Sequence, residues 1–318
     1  ASRANPLVEH TMPIESILVV TDFSSESDIA VDRASRLAQA HDAKLTLMYA
    51  PASPMPAALD PGERLAAVAR QLEARLALRV ATVSRVAGTL QGVAQEAARH
   101  DLLVFPARTE RSVAAFFLGQ PLQRLLRLCA IPVLVARLPP RAHYRRILVA
   151  VDFRRGCEGM VDFASELDPL AQLELFHAID TDGERKLRYA DMPDHVLSNY
   201  REARLQKAQG RALALTTSFD ARRNRMLTSF GRGEASRQIV IQQERSDADL
   251  TVIGVSRSPA WLDFLVGSVA HRALQRGSSD VLMAPHDSLP ATRRIAASRL
   301  HAADAQDARL AALRFPAR

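Results

Sequence analysis

The chain has 318 residues, 47% hydrophobic and 24% charged, a globular composition long enough for two cores. Its net charge of +7 and pI near 10.1 attract phosphates or acidic surfaces, but aromatics at 5% supply a base-stacking platform poorly, which argues against nucleic acid. No apolar run reaches the ~18 residues of a membrane helix, the start carries no secretory signal, and the two cysteines, Cys129 and Cys157, form no disulfide framework, so a cytoplasmic protein without a membrane partner is expected.

Residues 1–13 read as an N-terminal extension. A first apolar run, Ile17 to Val20, leads to Asp22. Ser24 and Ser25 can then cap a helix with Ile29, Ala30, Ala34, Leu37 and Ala38 on its apolar face. Leu45 to Met48 is a second run. Val93, Ala94 and Ala97 stand at helical spacing before Asp101 and the run Leu102 to Phe105. Leu122, Leu125, Leu126 and Cys129 do the same before Val133 to Ala136. Pro139 and Pro140 stop that strand and open a linker, residues 138–144. The pattern then begins again. Ile147 to Val151 ends at Asp152, and a helical face of Met160, Phe163, Ala164 and Leu167 precedes Leu173 to Phe176. Asp180 to Leu205 is charged and tyrosine-bearing. Ile239, Val240 and Gln243 precede Leu250 to Ile253, and Val269, Ala270, Ala273 and Leu274 precede Val281 to Ala284. Residues 287–318 are an Arg/Ala-rich tail, expected as a helix or a loose end.

The eight short runs are β-branched-rich and do not alternate, as in strands covered on both faces. Alternation with helices makes βαβ units and a doubly wound α/β fold. Ser16–Phe23 returns as Arg146–Phe153 at an offset of 130, and Asp101, Gly119 and Val133 return as Asp249, Gly267 and Val281 at 148. A duplication follows, with 18 extra residues in the second copy, expected within Asp180 to Leu205.

In such sheets ligands bind at the carboxyl ends of the strands. Asp22 and Asp152 end the first strand of each copy, where a carboxylate can hold a ribose hydroxyl or simply cap the next helix. In copy two Gly254 ends the fourth strand, and Gly267-Ser268 opens a helix whose free N–H groups suit an anion. Trp261 and Phe264 in the intervening loop read as cover for apolar surface rather than as a stacking site. His177 reads as a hydrogen-bonded structural residue, since no nucleophile is readable beside it. Metal-ligand spacings, a Walker lysine and a Gly-x-Ser-x-Gly elbow are all absent, and Asp180–Glu184 has its glycine in the wrong place for a calcium loop.

Asp152, the ending Phe176-His177-Ala178, the approach Asp247–Gly254 and the spacing Gly254-x12-Gly267-Ser268 together resemble the universal stress protein family, whose nucleotide loop is Gly-x2-Gly-x9-Gly-[Ser/Thr]. The likeness spans residues 14–137 and 145–286, taken as two domains. It implies two five-stranded, mostly parallel sheets, with their last strands packed across an internal pseudo-two-fold axis. It also implies ATP or another adenine nucleotide, with or without magnesium, held by Val151, Asp152, Ala178, Gly254, Arg257, Gly267, Ser268 and Val269. Arg257 stands at the family's second glycine, where it would block a phosphate or grip it. Copy one has Pro106, Thr109, Gly119 and Gln120 in the same frame, so phosphate binding there is expected to be lost. The expected role is stress-response nucleotide binding, regulatory and with at most slow hydrolysis. A structural or partner-binding module that has abandoned nucleotide is the alternative, and a polyanion binder the weaker one. Self-association and an unidentified protein partner are expected.

Overall fold

A computed structural model describes residues 14–51, 60–83, 90–107, 125–126, 128–154, 156–217, 226–255 and 271–285. The N-terminal extension, the arginine-rich tail and the loop with Trp261 and Phe264 lie outside these residues.

Copy one contributes strands β1 (Ser16–Thr21), β2 (Lys44–Tyr49), β3 (Val80–Val83), β4 (Leu102–Pro106) and β5 (Val133–Ala136), with helices α1 (Ser25–His41), α2 (Pro61–Leu76) and α3 (Leu90–Ala97). Copy two contributes β6 (Arg146–Ala150), β7 (Gln172–Ile179), β8 (Leu227–Arg232), β9 (Leu250–Val255) and β10 (Asp280–Pro285). Its helices are α4 (Cys157–Leu167), α5 (Asp182–Tyr189), α6 (Asp194–Thr217), α7 (Ala235–Ser246) and α8 (His271–Arg276). All ten strands join one sheet in the order β3-β2-β1-β4-β5-β10-β9-β6-β7-β8. Each half is parallel, and the halves meet in one antiparallel pair, with Leu134 opposite Leu282. That pair lies on the pseudo-two-fold axis.

Its position explains the burial. Every residue of β5 and β10 is buried, because each strand has neighbours on both sides and helices on both faces. The outer strands β3 and β8 are half exposed, and their sequences, Val-Ala-Thr-Val and Leu-Thr-Ser-Phe-Gly-Arg, lack the apolar run that marks the other eight. Ser24 caps α1 as expected, its side chain accepting from Ser27 N. Both cysteines are buried, and neither is in a disulfide.

Register locates the insertion. Ile17 pairs with Leu102, 85 residues on, whereas Ile147 pairs with Leu250, 103 residues on. The excess of 18 falls between the second and third strands: Thr46 pairs with Ala81 after 35 residues, and its counterpart Glu174 with Leu227 after 53. Where copy one has α2 alone, copy two has α5 and the longer α6. Glu184 on α5 receives Arg188, Arg201 of α6 and Arg232 at the end of β8. The Arg201 hydrogen bond is the first cause of a carboxyl held below the ordinary glutamate value.

The repeated aspartate before the fourth strand is a staple. Asp101 Oδ2 accepts from Glu15 N, Ser16 N and Ser16 Oγ at 2.8–3.0 Å. Asp249 does the same for Arg145 N and Arg146 N at 2.9 and 3.0 Å. Each pins the start of its first strand.

The seam between copies holds a buried polar knot. Arg33 of α1 is 3% exposed and Asp280 of β10 is fully buried, with Nε 3.0 Å from Oδ2. That approach is off the line of a hydrogen bond, so the contact is ionic. Asp280 also accepts from Arg137 N, Leu138 N and the Tyr144 hydroxyl at 2.7–2.8 Å, and Arg33 lies over the Tyr144 ring. Burial, with Asp280 alongside, pushes the Tyr144 hydroxyl well above its ordinary pKa. The Arg137 guanidinium donates to the carbonyls of Leu274 and Gly277, so copy one caps the last turn of α8 in copy two.

Candidate functional site

The carboxyl ends of β6, β7 and β9 form one edge in copy two. Val151 N still bonds to Phe176 O at 2.8 Å, which carries the strand direction one residue past β6. Asp152 then leaves the sheet. Its Oδ1 accepts from Arg154 N at 2.9 Å, and Arg154 Nε lies 3.4 Å from Oδ2. Both side chains are about half exposed, at 45% and 53%, so the carboxylate fixes its loop and still faces solvent. Phe153 follows with φ 58°, a left-handed backbone that a bulky residue adopts only when its surroundings enforce it. Its ring lies 4.6 Å from the His177 ring.

His177 donates from Nδ1 to Val151 O at 2.8 Å. The ring is thus fixed as the Nδ1–H tautomer and ties β7 to the β6 exit, the structural part expected of it. Burial pushes its pKa below the ordinary imidazole value, against the hydrogen bond that raises it. Ala178 is next, half buried and paired with Gly231. Gly254 lies opposite Ala284 near the end of β9. The edge therefore brings together Val151, Asp152, Ala178 and Gly254. Arg257, Gly267, Ser268 and Val269 lie outside the described residues.

Copy one repeats the frame with other chemistry. Asp22 Oδ1 accepts from Ser24 N at 3.1 Å and Ser24 Oγ at 2.5 Å, and Ser24 caps α1. The carboxylate is engaged in a helix cap. Phe23 again has a positive φ, 64°, and stacks on Tyr49 at 5.0 Å, while Arg64 of α2 covers its ring at 4.4 Å. Pro106 lies opposite Ala136 as Gly254 lies opposite Ala284, so a ring without an N–H stands where copy two has no side chain. Thr109, Gly119 and Gln120 lie outside the described residues. The ring pairs went unread in the sequence, although Asp-Phe stands after the first strand in both copies.

A solvent-facing carboxylate and a side-chain-free strand end at copy two are groups that would suit the ribose and phosphates of an adenine nucleotide. Copy one has a cap, a proline and a covered ring at the equivalent positions. Among the described residues no group of His, Cys, Asp and Glu could hold a metal, and no helix is long and apolar enough to cross a membrane.

This layout defines a tandem doubly wound α/β protein. The universal stress protein family matches residues 13–137 and 143–285, and the chain belongs to that family, a family of the stress response. Similar solved structures include a functionally unknown protein from Pseudomonas aeruginosa PAO1, 23% identical over 86% of this chain and 92% of that one, with a TM-score of 0.63. A universal stress protein from Archaeoglobus fulgidus DSM 4304 is 14% identical over 85% of this chain and 98% of its own, with a TM-score of 0.60. Likeness at these identities is a likeness of fold. Comparison with curated proteins returned no match.

Proposed function

We propose that this protein is a cytoplasmic stress-response regulator that binds an adenine nucleotide in copy two only, with occupancy rather than turnover as its output. The observation that carries the reading is the contrast between equivalent positions. Asp152 is half exposed where Asp22 is tied into a cap, and Gly254 stands where copy one has Pro106. Asp152 would accept from ribose hydroxyls, and the backbone of Val151 and Ala178 would meet the base. Gly254, Gly267, Ser268 and Val269 would surround the phosphates, with Arg257 adding charge. The nucleotide would supply only its own binding energy. His177, already donating to Val151, is not placed as a base.

The test is a thermal-shift titration with ATP, with and without magnesium. Saturation at about 100 times Kd adds about 2.7 kcal/mol of stability, a shift of several degrees. Gly267→Trp should abolish it. A flat response at millimolar ATP, with no nucleotide co-purifying, would sink the reading. The partner-binding alternative would then stand on the inserted helices, where Tyr189 and Leu213 are 91% and 65% exposed.

A further inference from the structure

We propose that the inserted helix α6 adds a second anion subsite to the copy-two edge, on its β7 side, formed by Arg204 and Arg211 beside His177. The proposal rests on the reading that this edge holds an adenine nucleotide, and it names the class: one with a phosphate on its ribose hydroxyls as well as at its 5′ end.

The internal comparison carries the argument. In both copies a helix between the second and third strands carries arginine toward the strand ends. In copy one that arginine is Arg64, and it is spent: it lies on the Phe23 ring. In copy two α6 packs on β7 and buries Leu197, Ala208, Ala212 and Leu215 along one stripe. Arg201, Arg204 and Arg211 fall on that stripe at three- and four-residue steps. Arg201 is taken by Glu184. Arg204 Nε is shielded from solvent and meets no acceptor. Arg204 and Arg211 have no ion-pair partner among the described residues, and both are close enough to oppose protonation of His177. The acid nearest that ring, Asp152, is already paired with Arg154. A shielded guanidinium donor without an acceptor is costly, and a bound oxyanion repays it. The planar fork matches phosphate.

Strand order sets the ligand's span. β7 lies on the opposite side of β6 from β9, which Gly267 and Ser268 follow in the chain. A nucleotide lying across β6 would thus meet anion donors at both ends, and Asp152 between them would hold the remaining ribose hydroxyl.

Isothermal titration of the full chain at fixed salt tests this, comparing AMP with adenosine 3′,5′-bisphosphate, and NAD with NADP. The phosphorylated member of at least one pair should bind about tenfold tighter or better, as two charge-assisted contacts require. Arg204→Gln and Arg211→Gln should each cut that ratio toward one. Preference in the first pair assigns the site to mononucleotides, and preference in the second to dinucleotides. Arg211 is exposed, so its variant carries the test alone if the Arg204 variant fails to fold. Equal affinities within both pairs overturn the subsite and leave the nucleotide reading intact. A preference that survives in the variants overturns it as well, and absence of binding by all four ligands removes both.

Discussion

Replacing Asp280 by alanine should show whether the seam knot joins the two copies energetically. The substitution removes the anion 3.0 Å from Arg33 Nε, and Arg33 is 3% exposed. It also orphans three donors: Arg137 N, Leu138 N and the Tyr144 hydroxyl. Breaking a buried ion pair from one side costs about 3–5 kcal/mol, and an orphaned buried donor roughly 1–3 kcal/mol more. These terms share atoms and do not add, so a total of about 5 kcal/mol is expected. In a chain this long that lowers Tm by about 10–20 °C. Asp280→Asn keeps an acceptor for the two amides and should lose about 3 kcal/mol. Arg33→Met leaves Asp280 with its three donors and should lose less than the alanine variant. Combining Arg33→Met with Asp280→Asn should cost less than the separate losses together, by about 1–3 kcal/mol. Guanidinium unfolding followed by circular dichroism measures all four. If Asp280→Ala stays within about 1 kcal/mol of the parent, the knot is spectator chemistry and the reasoning fails.

Further outcomes follow from the same geometry. Asp249→Ala removes the acceptor for two strand-opening amides and should cost roughly 2 kcal/mol in denaturant melts, as should Asp101→Ala at its twin site; a loss confined to one copy would contradict the shared staple. Burial lowers the His177 pKa, so the unfolded chain takes up that proton first as pH falls, and stability drops from about pH 6.5 downward until the folded ring is protonated too. His177→Asn should flatten that part of the stability–pH profile, and an unchanged slope would assign the drop elsewhere. Glu184→Gln leaves Arg188, Arg201 and Arg232 with a neutral partner, so hydrogen exchange in α5 should speed up while the β5–β10 pair stays protected; equal protection in α5 would show that the arginines do not hold it.

The sequence spoke most clearly where burial is two-sided. Eight strands are apolar runs because helices cover both faces, and the offsets of 130 and 148 survive as register. β3 and β8 left no such mark because an edge strand has one neighbour and one wet flank. The capping by Ser24 was readable from residue type, since the acceptor lies three residues from its amide. The Asp280 knot was not, because Asp280 lies 136 to 247 residues from its partners and only the antiparallel seam brings them together. Arg204 and Arg211 were hidden differently. Among 42 basic residues nothing in composition sets them apart, and only the packing of α6 against β7 selects them, by bringing them toward His177.

That selection bears on why the copies differ. Two of the differences in copy one also stabilise its fold. The Ser24 cap is worth roughly 1 kcal/mol, and Arg64 over Phe23 about 0.5–1 kcal/mol. In copy two the matching groups are left uncompensated: α4 begins at Gly156 without a side-chain cap, and Arg204 Nε has no acceptor. A fold relieved of a ligand would be expected to drift toward the first arrangement, as stability is gained wherever function no longer forbids it. Copy two keeps a different arrangement, with Asp152 facing solvent and Arg204 Nε without an acceptor.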